Sequence, residues 1–393
     1  MAEKEIRLSK PYLADSPAGV RMCCDLIFPG KTETAWFEVD GKYAQYFVDD
    51  RLDAFVVAFL PTAMREGMDL VCEAPVSRRL LYQVNHYLIP TLSRNIDIYH
   101  KVCLRADPTD ENLPNAGAVG TGWTGGVDCS FTLKNMLDPE EPGKKLTHLL
   151  IANSGALESD HNEELLRHLV KRAENGIAKD TGLSVIGVNS NLTILLKEHY
   201  LSVVNFRLSA GVLALQKLFS VYYNSSTYEF HRFFFAGEDS AYYEMFLLPA
   251  LSTESTVFYS SGGSVPRIEK LRALSAFPLA KKYLHPCIYA EGDNCCRCGK
   301  CVFTETALYA LGTLDQFEEV FDVAAFQKNK DWYLANAIAK KNVQHHGEAY
   351  AMLKQKGMIT KRAEEMAKMI YAAQKVVDKN HKELSLRLEG RYE

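Results

Sequence analysis

From about residue 118 to 277 the chain alternates short apolar runs with amphipathic, capped segments, and this alternation constrains its fold more than anything else in it. Leu146–Asn153, Leu183–Asn189, Arg232–Ala236 and Thr256–Ser260 read as strands. Helices are expected from Asp160, as N-cap, to Asn175, closed by Gly176. Two more are expected over Leu208–Phe219 and from Ser264, with Pro266 in the first turn, to Phe277. Repeated strand–helix alternation predicts an α/β fold, a parallel sheet with helices on both faces. Such sheets take ligands beyond the carboxyl ends of their strands.

The flanks read differently. Residues 1–112 are expected to form a small α+β domain. Its elements are a hairpin about Asp40-Gly41, a helix over Asp53–Glu66 ended by Gly67, a helix over Arg78–Leu92 and a strand over Asp97–Leu104. Asp107–Gly117, rich in Pro, Gly and Asn, reads as the linker. The α/β domain then covers 113–312, and 313–393 is a charged helical extension. Met366, Met369, Ile370 and Ala373 repeat there at helical spacing. That face either packs on the core or serves a homodimer or a partner protein. His345-His346 reads as a surface pair.

Composition narrows the function. Forty-five Lys+Arg against 49 Asp+Glu leave a net charge of −4, which argues against a broad nucleic-acid-binding face. MAEKEIRLSK holds no apolar signal core, and the longest strongly apolar run, Ala54–Leu60, is far short of the ~20 residues that span a bilayer. The expectation is a cytoplasmic protein with no membrane partner. That compartment disfavours a disulfide framework, yet five of the ten cysteines fall between Cys287 and Cys301. Such a cluster points to metal binding or catalysis.

Gly120–Leu133, GTGWTGGVDCSFTL, carries the first chemical signal. A Walker loop needs Lys-[Ser/Thr] after its last glycine, and Gly125-Gly126 is followed by Val127. Gly120–Gly125 matches G-x-G-x-x-G, but the next strand ends in Asn153-Ser154 rather than the acid a dinucleotide site requires. Thr124–Ser130, TGGVDCS, suits phosphate better. Gly125 and Gly126 let backbone N–H groups approach an anion, and the following helix start adds unpaired N–H groups and a positive dipole. Thr124 and Ser130 can donate hydroxyl hydrogen bonds, and Asp128 can help hold Mg²⁺. A tight strand-to-helix turn without a ligand is the plain alternative. Cys129 is either a small packing residue or, with a thiolate favoured at a helix start, a nucleophile or sulfur carrier.

Cys287, Cys295, Cys298 and Cys301 form C-x₇-C-x₂-C-x₂-C, which fits tetrahedral Zn²⁺. A bacterial ferredoxin run would place a fourth cysteine where Glu305 stands. Cys296 breaks the two-residue spacing and is left out of the set.

The Thr124–Ser130 loop resembles the S-G-G-x-D-S loop of the PP-loop ATP pyrophosphatases, the adenine nucleotide alpha-hydrolase superfamily with its HUP-like sheet. Thr124 replaces the first Ser and Cys129 the Ser after the Asp. Together with the four-cysteine motif, residues 116–312 resemble the 7-cyano-7-deazaguanine synthases, as a longer branch with extra terminal regions. The resemblance implies ATP, Mg²⁺ and Zn²⁺ as cofactors. It implies transfer of AMP to a carboxylate or amide oxygen of a small-molecule or peptide acceptor, release of pyrophosphate, and displacement of AMP by a nitrogen nucleophile. A sulfur nucleophile carried by Cys129, or a nucleotide-binding regulatory protein without chemistry, are the alternatives. Asn153, Ser154 and Gly155 after the second strand, and Asn189 and Asn191 after the third, are candidates to line the nucleotide crevice. Arg267 and Lys270 share one face of the helix after Gly262-Gly263-Ser264 and are candidate phosphate or carboxylate partners. A solvated basic face is the other reading.

Overall fold

Among the described residues, eleven strands join into one mixed sheet. The computed structural model describes residues 5–154, 163–196, 198–289 and 291–373. The strands are β1 Glu5–Leu8, β2 Tyr12–Ser16, β3 Gly19–Phe28, β4 Lys31–Val39, β5 Asp69–Cys72, β6 Leu104–Arg105, β7 Ala118–Gly122, β8 His148–Ala152, β9 Ser184–Ser190, β10 Phe219–Ser225 and β11 Val257–Ser261. Their order is β11-β10-β7-β8-β9-β4-β3-β1-β5-β6, with β2 also on β3. From β11 to β9 every pairing is parallel. Counted from β7, the parallel part runs third, second, first, fourth, fifth, so the order reverses between β7 and β10. The architecture is α/β and compatible with a Rossmann-like fold. Successive residues Leu149, Leu150 and Ile151 of β8 are all buried, as expected where helices cover both faces.

The sheet does not stop at residue 112. β4 pairs antiparallel with β9, with Glu38 opposite Asn189 and Phe37 opposite Ser190. Without β4, β9 would be an open edge. Helix α1, Asp53–Glu66, is apolar all round and buried from Asp53 to Met64, so it needs cover on every side. A single apolar cluster accordingly runs from Ile6 to Phe258. The buried Asp53 carboxylate joins the same regions. It accepts from Ser77 N–H (2.8 Å), Ser77 Oγ (2.5 Å) and Gln216 Nε2 (2.8 Å). The compact units are Met1–Thr124 with Asp128–Val265, and Gly125–Val127 with Pro266–Glu393. They divide the chain at other places than 112 and 312, because a shared core and ladder tie the first hundred residues to the parallel sheet.

The second unit is helical. It contains α6 Arg267–Ser275, α7 Gly299–Leu311, α8 Lys330–Ala339, α9 Gln344–Gln355 and a helix over 361–373. Ile268, Leu271, Leu308, Phe317 and Phe326 are buried together, and Leu334, Leu353 and Ala363 form a second cluster. Met369 and Tyr371 remain exposed.

Several local expectations change. The β3–β4 hairpin turns at Pro29-Gly30, where Gly30 has φ +84°. Asp40-Gly41 instead opens a 3₁₀ turn, because the Asp40 side chain accepts the Lys42 N–H at 3.0 Å and caps it. Gly67 ends α1 in the left-handed conformation, as expected. The predicted strand over Asp97–Leu104 shrinks to β6, and Arg232–Ala236 holds no strand. The helix expected over Leu208–Phe219 is Tyr200–Leu213, since Phe219 begins β10. Pro266, rather than Ser264, is the N-cap of α6. The helix expected from Asp160 is described from Glu163, and Asp160 lies outside the described residues. Among the described residues no helix is long and apolar enough to cross a membrane.

Candidate functional site

Gly120 and Gly122 lie inside β7 rather than in a turn. A Cβ on Gly120 would come within 2.6 Å of the Phe219 ring, so this glycine serves strand packing, and the G-x-G-x-x-G reading loses its first turn residue. The turn proper follows at Trp123–Gly126. Helix α2, Val127–Met136, then starts at the carboxyl end of β7, beside the reversal of strand order. Thr124 Oγ1 lies 3.6 Å from Cys129 Sγ. Asp128 is in the first turn of α2. Ser130 and Cys129 are buried, at 2% and 6% exposure. Gly125 is fixed twice over: φ is +75°, and a Cβ would meet His285 Cβ at 2.9 Å. Its carbonyl accepts the His285 N–H at 2.7 Å.

Beyond β8 and β9 the expected crevice residues are drawn into a network. Asn153 Nδ2 donates to Asn189 Oδ1 at 2.8 Å, and Asn189 Nδ2 donates to Glu38 Oε2 at 3.2 Å. Glu38 Oε1 accepts from Arg21 Nε at 2.8 Å, and the Arg21 guanidinium stacks over Trp36 at 3.9 Å. Ser190 Oγ donates to the Asn153 carbonyl at 3.0 Å. Asn191 fastens β4 instead of facing a ligand, accepting from Trp36 N–H and donating to the Thr34 carbonyl. Ser154 is 4% exposed, and its Oγ has no partner among the described residues. The buried Arg207 guanidinium donates to the carbonyls of Ser154, Leu196 and Glu198, linking the segments after β8 and β9. Gly155 lies outside the described residues. Arg21, Trp36, Glu38 and Arg207 escape a motif search, because no local pattern announces their partners: Glu38 meets Asn189 151 residues further on and Arg207 meets Ser154 53 residues back.

Arg267 and Lys270 fall in the first turns of α6 in the second unit. Lys270 is 2% exposed, so the pair is not a solvated basic face. Glu348 supplies an anion at this helix start, accepting the Ile268 N–H at 2.9 Å. Burial opposes its ionisation, yet hydrogen bonds from His345 and Ile268, with the charges of His345 and Arg267, hold its carboxyl below the usual range. His345 is therefore an ion-pair partner 3.7 Å from Glu348, and His346 packs on Phe303. Neither is the plain surface residue expected.

Cys287, Cys295, Cys298 and Cys301 converge, their Sγ atoms all within 4.8 Å of one another. Tetrahedral Zn–S bonds of about 2.3 Å place sulfurs about 3.8 Å apart, so the group fits such an ion with small closure. Backbone N–H groups already point at sulfur: Cys298 N to Cys295 Sγ at 3.2 Å, and Cys301 N to Cys298 Sγ at 3.5 Å. Burial opposes ionisation of Cys295, but the N–H groups of Arg297 and Cys298 and the neighbouring thiols overcome it and bring the thiol down to about 7. Asn294 braces the loop through the Leu284 and Val320 carbonyls. Cys296, at φ +54°, turns its sulfur away to the Asn294 carbonyl and the Asp322 N–H. Glu305, at the ferredoxin fourth-ligand position, is a fully buried carboxyl that burial raises to about 8. The four cysteines could hold a metal ion, and every ligand would then be a thiol.

No protein family, curated protein or solved structure matches the chain.

Proposed function

We propose that this protein is an ATP-dependent, AMP- and pyrophosphate-forming enzyme with a structural zinc. It adenylates a carboxylate or amide oxygen of a small-molecule or peptide acceptor for displacement by a nitrogen nucleophile. One observation carries the reading: the TGGVDCS loop leaves the carboxyl end of the central strand beside the reversal of strand order and runs directly into a helix start. That is where an open α/β sheet binds nucleotides, and where backbone N–H groups and the helix dipole favour phosphate. A carboxylate or amide oxygen leaves poorly, whereas an adenylate leaves well, so the site's task is to stabilise charge on two phosphate groups. Thr124, Gly125, Gly126 and Ser130 would hold phosphate oxygens. Asp128 would help hold Mg²⁺, which supplies charge neutralisation when bound. Arg267 and Lys270 are proposed as further anion-binding cations of the protein. The four thiols leave no position for water on a tetrahedral ion, so zinc there would be structural.

Cys129 weighs against the sulfur-transfer alternative, since a thiol at 6% exposure is poorly placed to accept and pass on sulfur. The test is incubation with ATP, Mg²⁺ and candidate carboxylates, with AMP and pyrophosphate measured. The expected products are those two in equal amounts, reduced about a hundredfold in Asp128→Asn. Release of ADP and phosphate would sink the proposal. Cys129→Ser should keep its rate, and loss of product with that variant would revive sulfur transfer.

A further inference from the structure

The polar chain across β4, β9 and β8 has a direction, and that direction reaches the proposed nucleotide crevice. Glu38, paired with Arg21 at 2.8 Å, can only accept at Oε2, so Asn189 must present its Nδ2 there. The Ser190 N–H, which can only donate, meets Asn189 Oδ1 at 3.0 Å and fixes the same orientation independently. Asn189 Oδ1 then requires a donor from Asn153, which gives its Nδ2 at 2.8 Å. The amide of Asn153 is thereby held with Oδ1 as its remaining acceptor, beside the second N–H of Nδ2. That oxygen has no hydrogen-bond donor among the described residues, although Asn153 is only 5% exposed. Asn153 is the first residue beyond β8, at the carboxyl edge of the parallel sheet.

We infer that Glu38, through Asn189, sets Asn153 Oδ1 as a fixed hydrogen-bond acceptor that selects a nucleotide with a donor amino group, a 6-aminopurine over a 6-oxopurine. The inference rests on the proposed nucleotide-binding reading and deepens it. Asn153 is the residue that meets the ligand, and Glu38 and Asn189 are positioning residues acting through it. A base with a 6-oxo group would set one acceptor against another, and a buried mismatch of that kind is a strong discriminator. The first hundred residues would then serve specificity at the site as well as covering the β9 edge.

ATP and inosine triphosphate differ only at the 6-substituent and the adjacent N1, which accepts in adenine and carries a hydrogen in hypoxanthine, so the test is their dissociation constants, with Mg²⁺, by calorimetry on the full chain. The wild-type protein should prefer ATP by about tenfold or more. Glu38→Gln keeps the shape but can donate as well as accept, so only the Ser190 N–H still holds Asn189 in its orientation and the ratio should shrink without vanishing. A purely structural weakening would reduce both affinities and leave the ratio in place. Asn153→Ala removes the acceptor and should abolish the preference, which keeps the inference testable if Glu38→Gln fails to fold. Binding of ATP and inosine triphosphate with equal affinity by the wild type overturns the inference and leaves the nucleotide-binding reading standing. A ratio unchanged in folded Glu38→Gln removes Glu38 from the role. Binding of neither nucleotide overturns the reading and the inference together.

Discussion

The cysteine group and the Arg21–Glu38–Asn189–Asn153 chain settle their polar atoms in opposite ways. In the first, four thiols lie within 4.8 Å of one another and are met by neutral backbone N–H groups. Ionising all four there needs a cation, so an ion should carry the local fold energetically. In the second, each acceptor except Asn153 Oδ1 faces a donor among the described residues, which leaves that oxygen as the end left over. That network should hold without any ligand, and it is the leftover end that makes it useful. The lesson is that an unfilled valence in an otherwise satisfied polar network marks a place where a ligand can be read.

Breaking the first region should produce the largest effect. Cys301→Ser removes a fully buried ligand, and the protein should lose its bound metal and about 5 kcal/mol or more of stability. Metal analysis with chemical denaturation checks it, and about one zinc per wild-type chain is the reference value expected. Retention of metal by the variant would place the ion elsewhere.

Asp53→Ala tests a network that is satisfied at every end. It strands the Ser77 N–H and hydroxyl and the Gln216 amide, and should cost about 3–5 kcal/mol. Metal content should stay unchanged, which separates the two regions. Glu38→Ala should cost less, about 1–3 kcal/mol, because Arg21 is part-exposed and water can replace its partner. A loss as large as that of Asp53→Ala would mean that β4 depends on Glu38 for docking, not only for orientation.

The smallest effect is a pH dependence in the helical unit. Burial, with the charges of Lys340 and His345, brings His346 from its ordinary value of 6.5 down to about 4. The unfolded chain therefore binds more protons than the folded one between those values. The stability tied to neutral His346 is complete above pH 6.5 and declines as pH falls toward 4. His346→Leu should flatten that part of a denaturation profile, and an unaltered slope would assign it to other groups.

What a motif search can find is bounded by sequence distance. The cysteine ligands are neighbours along the chain, so their spacing alone brought them together. The TGGVDCS loop is equally local, and Asp128 and the start of α2 are where the pattern places them. The strand–helix alternation after residue 118 foretold β8, β9 and β11, but it missed β10 and placed a strand at Arg232–Ala236 instead. Asn153, Ser154 and Asn189 were located at strand ends but not in their partners, since Glu38 lies far away along the chain. The hairpin misplaced at Asp40-Gly41 had a side-chain cap competing with the turn, and only the folded backbone shows which won.

By itself the sequence determined the α/β class, the helix start after the central strand and the four-thiol group. Each follows from periodicity or spacing over a few residues, where local geometry leaves little choice. The tertiary structure alone decided that residues 5–112 share one sheet and one core with the parallel strands. It also decided that Asn191 is a staple, that Lys270 is buried and that Glu38 orients two amides. These are outcomes of burial, where a polar atom must find whichever partner the fold brings near, and that partner is set by packing rather than by position along the chain.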